Sequence, residues 1–447
     1  MMNENFLLNT DIAKKLFDSV SKLPIIDFHN HLTLQDIQSD RVFKDITELW
    51  IASDPYKHRA MRILGVDEYY ITGKASNYEK FLKWMESLPM LIGHPLYTWS
   101  QLELKRVFGI DVPLNSDSSE CIWNRTKELL AQKEYTNNHI LDKFGIAYSA
   151  PCCAIADDVS FFAGKANLAP SLRGDDMVAP TKALVENLEK ATGMKIESLA
   201  QYMEAIAKRL DVFDEVGCRF SDHALDDGFS YVADDGVNEA RFQEAVAGKA
   251  YDVVALRSYI LCNLASEYAK RKWTMQLHIG AHRRTSDRLL QIAGPAGGYA
   301  AIGSPCDFNS LIGLLHDAEN TEGGLPRTIL FTLNPADSAA MAIITGSFSE
   351  DGVAAKVQLG PAWWWCDHTI GIRNVLDMIS SYGVLSTFIG MTTDSRSILS
   401  FVRHEYFRRI LCGWMGDKVQ SGELPDDFAL LETIAKKLCY ENVDKLV

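Results

Sequence analysis

The 447 residues carry 45 Lys and Arg against 59 Asp and Glu, a formal net charge of −14. No clustered basic run interrupts that acidity, which excludes nucleic acid as a natural partner, because phosphate neutralisation by Lys and Arg dominates such binding. With 47% hydrophobic and 23% charged residues the composition is ordinary globular material, and no apolar run approaches the roughly 18 residues that would make a membrane partner.

Met1 to Leu23 places Ile12, Leu16, Phe17 and Val20 at helical spacing. It predicts an amphipathic helix rather than a signal peptide. The nine cysteines are odd in number and contain no C-x-x-C pair, so a reducing, cytoplasmic location is expected. Cys152 and Cys153 are adjacent in a predicted strand and read as packed residues. The stretch Pro24-Ile25-Ile26-Asp27-Phe28-His29-Asn30-His31 is an apolar strand ending in two histidines one residue apart. Alternation along a strand points His29 and His31 the same way, so two imidazoles are offered to one divalent metal ion. The competing reading is an edge strand whose histidines face water.

From about Asp36 to Asn138 the chain is rich in helix formers and aromatics, with helical spacing in Asn77–Met85 and Trp99–Phe108. Residues 36–138 are therefore expected to form a helical insertion, with 1–35 and 139–447 as the surrounding domain. Inside the insertion, Asp54-Pro55-Tyr56-Lys57-His58-Arg59-Ala60-Met61-Arg62 concentrates polar groups at a helix start, Pro55 suiting the first turn. From Ile140 onward short apolar runs alternate with helical stretches such as Ile196–Leu210, Val254–Lys270 and Asp337–Ile344. The runs Ala147–Cys153, Leu168–Leu172, Cys218–Ser221, Thr274–Leu277, Thr328–Leu333, Lys356–Leu359 and Leu385–Gly390 read as buried strands. Together with the first strand they favour a (β/α)8 TIM-type barrel over an open sheet. No G-x-G-x-x-G follows a strand, and Gly294-Pro295-Ala296-Gly297-Gly298 reads as an ordinary loop.

In such a barrel the chemistry gathers where the strands end. Those ends supply His29 and His31, Asp157 or Asp158, Arg173, Asp222 and His223, His278, Asn334, Trp363 to Trp365 with Asp367, and Asp394 with Arg396. Ser171, Asn334, Asp337 and Ser397 are candidate helix caps; histidines and arginines at the mouth of an acidic protein have no such explanation. His29 and His31 with Asp394, from the last strand across the seam, would give two nitrogens and one oxygen and leave positions open for substrate. His139, His316 and His404 fall in helical contexts and read as structural or exposed.

His29-Asn30-His31 with a last-strand aspartate resembles the amidohydrolase superfamily. Asp54–Arg62, Pro95–Trp99, Gly217–His223, Met275–Ala281, Ala362–Trp364 and Met391–Ser397 resemble, in order and over nearly the whole chain, the uronate isomerase family. That resemblance implies interconversion of D-glucuronate with D-fructuronate and D-galacturonate with D-tagaturonate, with one divalent ion, zinc being the expected one, and a homo-oligomeric assembly. It implies Tyr56 as the proton-abstracting base. Such a shift passes through an enediol whose negative oxygen needs a positive partner. Arg396 is the candidate cation for Tyr56 and the enediolate, and Arg173 the fork for the uronate carboxylate. His29 and Asp394 would help open the sugar ring, Asp222 and His278 would bind hydroxyls or shuttle protons, and Trp363 and Trp364 would form a sugar-stacking wall or part of the core. Ala281-His282-Arg283-Arg284 departs from the family, which has a leucine and an asparagine-rich turn there, and bears on substrate preference. The alternatives are a metal-dependent hydrolase or deaminase of the same superfamily and a non-catalytic sugar-binding protein. Binuclear hydrolases of the superfamily add a bridging lysine or glutamate and a strand-six histidine, whereas this strand ends in Leu333-Asn334-Pro335.

Overall fold

The structure, a computed structural model, describes residues 2–447. In chain order the strands are β1 (Ile25–Asn30), β2 (Ile146–Ala154), β3 (Ser171–Arg173), β4 (Phe220–Leu225), β5 (Thr274–Ile279), β6 (Ala281–His282), β7 (Ala301–Ile302), β8 (Arg327–Thr332) and β9 (Val357–Leu359). Seven form a curled parallel sheet in the order β1-β2-β3-β4-β5-β8-β9, while β6 and β7 make a small antiparallel pair. Every position of β1 and β5 is buried, as expected of a parallel sheet covered by helices. The register sets Arg173 beside Asp222 and Ala224 beside His278, so polar residues of successive strands reach the same end of the sheet.

The first helix, Asp11–Val20, is capped by Thr10 and buries Ala13, Leu16 and Val20. Between β1 and β2 the chain forms only helices and connecting turns. Pro55–Ile63 begins with Asp54, whose carboxylate accepts from the amides of Tyr56 and Lys57, and with Pro55 in the first turn. Trp50, Phe81 and Trp84 of this segment join the same hydrophobic cluster as Phe28, Leu277 and Leu330 of the barrel.

Three sequence expectations need correction. Ser171 caps no helix: it lies in β3, its hydroxyl 3.5 Å from the Phe220 carbonyl. Asp337 precedes a helix without capping it by its side chain, and accepts instead from the Cys306 amide at 3.0 Å. The run Leu385–Gly390 is not a strand. Leu385–Thr387 is a 3-10 turn, and Gly390 has φ +79° with its Cα against the Leu438 carbonyl, where a Cβ would come within 2.0 Å. A regular ladder is replaced by a seam in which backbone and side-chain groups of the following segment bond β1 directly.

In that seam the Asp394 amide donates to the His29 carbonyl at 3.0 Å and the His31 amide to the Ser395 carbonyl at 2.8 Å. The Thr392 hydroxyl sits 2.9 Å from the His29 amide and 2.8 Å from its carbonyl. Fully buried Asp27 anchors the arrangement. It accepts from the Thr393 amide at 2.9 Å, the Asn30 amide group at 3.0 Å and His404 Nε2 at 2.9 Å. The molecule is thus a TIM-type α/β barrel whose eighth position is irregular. His404 is structural, as its helical context suggested.

Asp27→Ala should leave these buried donors unpaired and cost about 3 kcal/mol or more of stability. Urea unfolding checks this; a loss below about 1 kcal/mol would show that the seam holds without the carboxylate.

Candidate active site

Asp394 is placed by the seam. Its backbone has φ +48°, an uncommon conformation for a non-glycine residue that costs roughly 1–3 kcal/mol and tends to persist where function requires it. Its Oδ1 lies 3.2 Å from His29 Nε2 and 3.0 Å from His31 Nε2, while Trp363 Nε1 donates to Oδ2 at 2.7 Å. Burial opposes a charge on Asp394, but hydrogen bonds from both histidines outweigh it and hold the carboxyl well below the ordinary range. A two-residue strand repeat and one carboxylate from across the seam therefore converge on one point.

The surroundings also suit an ion. Among the described residues, His29, His31 and Cys152 form one group whose ligand atoms lie within 4.8 Å of one another, and His29, Asp222 and His278 form a second. Cys152, expected to be merely packed, has its sulfur 3.6 Å from His29 Nδ1 and 3.6 Å from Asp222 Oδ1. Burial pushes its thiol pKa well up, so it stands there as a thiol. The His278 ring is centred 4.7 Å from that of His29. Burial, reinforced by neighbouring His29, holds its pKa well below the usual value, and its buried Nε2 has no hydrogen-bond partner among the described residues. An orphaned buried ring nitrogen beside two histidines and a carboxylate fits a divalent ion and a bound polar ligand.

One cavity of about 460 Å³ is lined by His29, His31, Tyr56, Arg173, Asp222, His278, Trp363, Trp364, Asp394 and Arg396, all singled out in the sequence. Trp365 lines it as well, while other strand-end candidates go elsewhere. His223 lies within β4 and bonds the Tyr268 hydroxyl at 2.9 Å, Asp157 accepts from the Ala154 amide, and Asn334 caps a 3-10 turn. Arg173 is engaged by Asp175 at 2.8 Å and lies 4.0 Å from Asp222. Arg396 is exposed and has no ion-pair partner among the described residues.

Tyr56 faces this cavity from the first turn of its helix, edge-on to Trp365 with centroids 5.2 Å apart and to Trp99 at 6.2 Å. Asp54 fixes that turn: one oxygen accepts from the Tyr56 amide at 2.9 Å, and the other holds buried Lys57 Nζ at 2.6 Å. The guanidinium over the Tyr56 ring is Arg403, at 5.9 Å, rather than Arg396. Arg403 is buried, pairs with Asp367 at 2.6 Å and donates to the Thr393 carbonyl beside Asp394. Burial pushes the Tyr56 phenol well above 10, and Arg403 works against that rise. No sequence signal marked Arg403, since an arginine two residues into a helix ordinarily reads as solvated.

The loop after β6 closes the mouth. Pro295, Ala296 and Gly298 line the cavity, and Arg59 and Arg62 donate to carbonyls of this loop. A Cβ on Gly298 would lie 2.1 Å from the Pro55 carbonyl oxygen, and its φ is +79°, so glycine permits the loop to press against the Tyr56 helix. The segment read as an ordinary loop is a wall of the site. In the unusual Ala281–Arg284 stretch, Arg283 Nε reaches both oxygens of Asp226 at 2.8 Å and its guanidinium lies 5.0 Å over Trp364.

A family model described as glucuronate isomerase matches residues 1–447. The chain belongs to the glucuronate isomerase family. Proteins named uronate isomerase are similar over almost all of it: that of Caldanaerobacter subterraneus subsp. tengcongensis is 39% identical, covering 99% of this chain and 98% of the relative. That of Caldicellulosiruptor bescii is 40% identical with the same coverage. The crystal structure of a uronate isomerase from Thermotoga maritima superposes with a TM-score of 0.91 at 29% identity, covering 100% of this chain and 99% of the other. This chain is accordingly an aldose–ketose isomerase acting on uronates.

On the proposal that His29, His31 and Asp394 together hold a divalent ion, His31→Ala and Asp394→Ala should each lose bound metal and activity together, because two remaining ligands hold an ion poorly. Elemental analysis after dialysis checks this, and full occupancy in both variants would remove these residues from the ligand set.

Proposed function

We propose that the enzyme interconverts D-glucuronate with D-fructuronate, and D-galacturonate with D-tagaturonate, by moving a proton between C2 and C1 of the open-chain sugar. The observation that carries this reading is that Tyr56 and the His29–His31–Asp394 cluster share one cavity. The residues that would hold a divalent ion, zinc in our reading, are His29, His31 and Asp394; when bound it would supply the positive charge that an enediolate oxygen requires.

Tyr56 takes the C2 proton in this scheme. The C1 carbonyl oxygen ends as a hydroxyl, the C2 hydroxyl as a carbonyl, and a proton is returned at C1. A phenol with an ordinary pKa near 10 is a poor base at neutral pH and burial makes it worse, so a cation is needed close by. Arg403 provides a permanent one over the ring, tied by Asp367 so that it cannot swing away.

The substrate carboxylate is gripped at the mouth by Arg173 and by Arg396, the second having no carboxylate of its own to satisfy. His278, with its unpaired nitrogen, and Asp222 bind hydroxyls or pass protons between them. Asp394 and His29 assist opening of the sugar ring. Trp364 lies beside the sugar, while the Trp363 indole both lines the site and orients Asp394.

Among the described residues no helix is long and apolar enough to cross a membrane. The nine cysteines are all free, which suits the reducing cytoplasm we infer as its location. A homo-oligomer is the assembly we infer from the family resemblance.

Tyr56→Phe should keep metal and substrate affinity while lowering kcat by about 10²- to 10⁴-fold, the usual contribution of a positioned acid or base. Following ketose formation from D-glucuronate and D-galacturonate checks it. Turnover within a few-fold of the parent would take the base role from Tyr56.

A further inference from the structure

Behind the wall formed by Tyr56, Trp364 and Trp365 lies a second cavity of about 680 Å³, which contains none of His29, His31 or Asp394. Two long helices point their N-termini into it, Pro95–Phe108 through its cap His94 and Thr369–Tyr382 through its cap His368. Each imidazole is used in the same way: Nδ1 accepts a backbone amide of its own helix, from Leu96 at 3.2 Å and from Gly371 at 3.1 Å. With Nδ1 occupied as an acceptor, the proton of each neutral ring sits on Nε2. His94 Nε2 has no protein partner among the described residues, whereas the His368 ring also donates to the Trp365 carbonyl. Burial lowers the pKa of both rings, so they are neutral donors near pH 7.

The wall also carries the hydroxyls of Thr98, Thr369 and Tyr406, the last two bonded to each other at 2.8 Å, and further N–H donors. Trp99 is 5% exposed and lines the cavity, yet its indole N–H has no partner among the described residues, and the Trp365 N–H is likewise orphaned. Buried indole N–H groups normally find an acceptor. Arg59 lines the same space, and its only hydrogen bonds among the described residues go to the Gly298 and Ala300 carbonyls, at 3.4 Å and 3.1 Å. Buried Asp367 also lines the cavity, with one of its oxygens paired to Arg403. Two helix N-termini, a guanidinium and three N–H groups without protein acceptors, those of His94, Trp99 and Trp365, thus lie around one space in a protein of net charge −14.

A wall of donors is complementary to an acceptor-rich ligand, and the positive ends of two helices favour a negative one. The geometry points to a second anion site, for a small oxyanion on a compact organic body: a carboxylate or a phosphate held by Arg59, His94 and Trp99 at the N-terminus of the helix that His368 caps, with Leu96 and Ile370 as the apolar flank. This site is distinct from the one that turns the sugar over, and the two share only the aromatic partition.

The test uses metal-loaded enzyme kept saturated with the hexuronate pair, so that the reaction site is filled. Inorganic phosphate, for the phosphate source, and D-gluconate, for the carboxylate source, are titrated separately by calorimetry. At least one should bind with one site per chain. The double variant His94→Asn, His368→Asn keeps both cap acceptors but removes both imidazoles, the free His94 Nε2 donor among them, and should weaken that binding at least about tenfold while kcat in the absence of either probe stays within about twofold. Trp99→Phe, which keeps the ring and loses the N–H, gives an independent arm should the double variant be unstable, and should weaken binding by several-fold. Absence of binding by both probes, or unchanged affinity in a folded variant, would overturn the proposal.

Discussion

Asp27 is a carboxylate with no exposure to water, and it binds the two ends of the barrel to each other. Its acceptor oxygens are filled from β1 itself, from the segment that closes the barrel and from the helix that follows. A buried charge is tolerable only when so fully hydrogen-bonded, and for the same reason it is a stringent positional constraint. The backbone at Asp394 is held at positive φ between two seam bonds, which aims its side chain at the imidazoles that β1 presents. Fold closure and site assembly are therefore one event: the residues that could hold an ion do not meet until the first and last parts of the barrel do.

Charge at the mouth follows a second logic. An acidic protein repels an anionic sugar at long range, so capture depends on local guanidinium groups. Arg283 and Arg173 are already matched to Asp226 and Asp175, an arrangement that keeps them oriented while muting their field. Arg396 is unmatched and exposed, which is why we propose it as a partner for the substrate carboxylate. Deeper inside, Arg403 is locked by Asp367 and by the backbone beside Asp394. One buried cation thereby links the Tyr56 ring to the carboxylate end of the site, so displacement of either should be felt by the other.

Much of this was legible in the chain because strands have a period of two and barrels gather their strand ends. His29 and His31 needed only that period, and Asp394 only the expectation that a last strand would lie beside the first. The strand itself was misread. Leu385–Gly390 has the composition of a buried strand, but what bonds β1 is the polar Thr392–Ser395 stretch beyond it, through two backbone bonds and the Thr392 hydroxyl, which no hydrophobic pattern records. Arg403 was invisible for a related reason: its burial is created by Trp99, Tyr56 and Asp367, which come from distant parts of the sequence. Cys152 looked like packing material because its neighbours in sequence are apolar, whereas its neighbours in space are His29 and Asp222. The loop around Gly298 carried a turn signal but nothing to say that it would lie on the Tyr56 helix.

The claim on which the rest stands is that seam closure creates a divalent-metal centre at the head of β1. Crystals of the metal-loaded enzyme, with anomalous scattering recorded on both sides of the absorption edge of the bound element, address it directly. One edge-specific peak per chain is expected within bonding distance of His29, His31 and Asp394. A peak elsewhere in the chain, or an active crystal with no peak at that position, would contradict it.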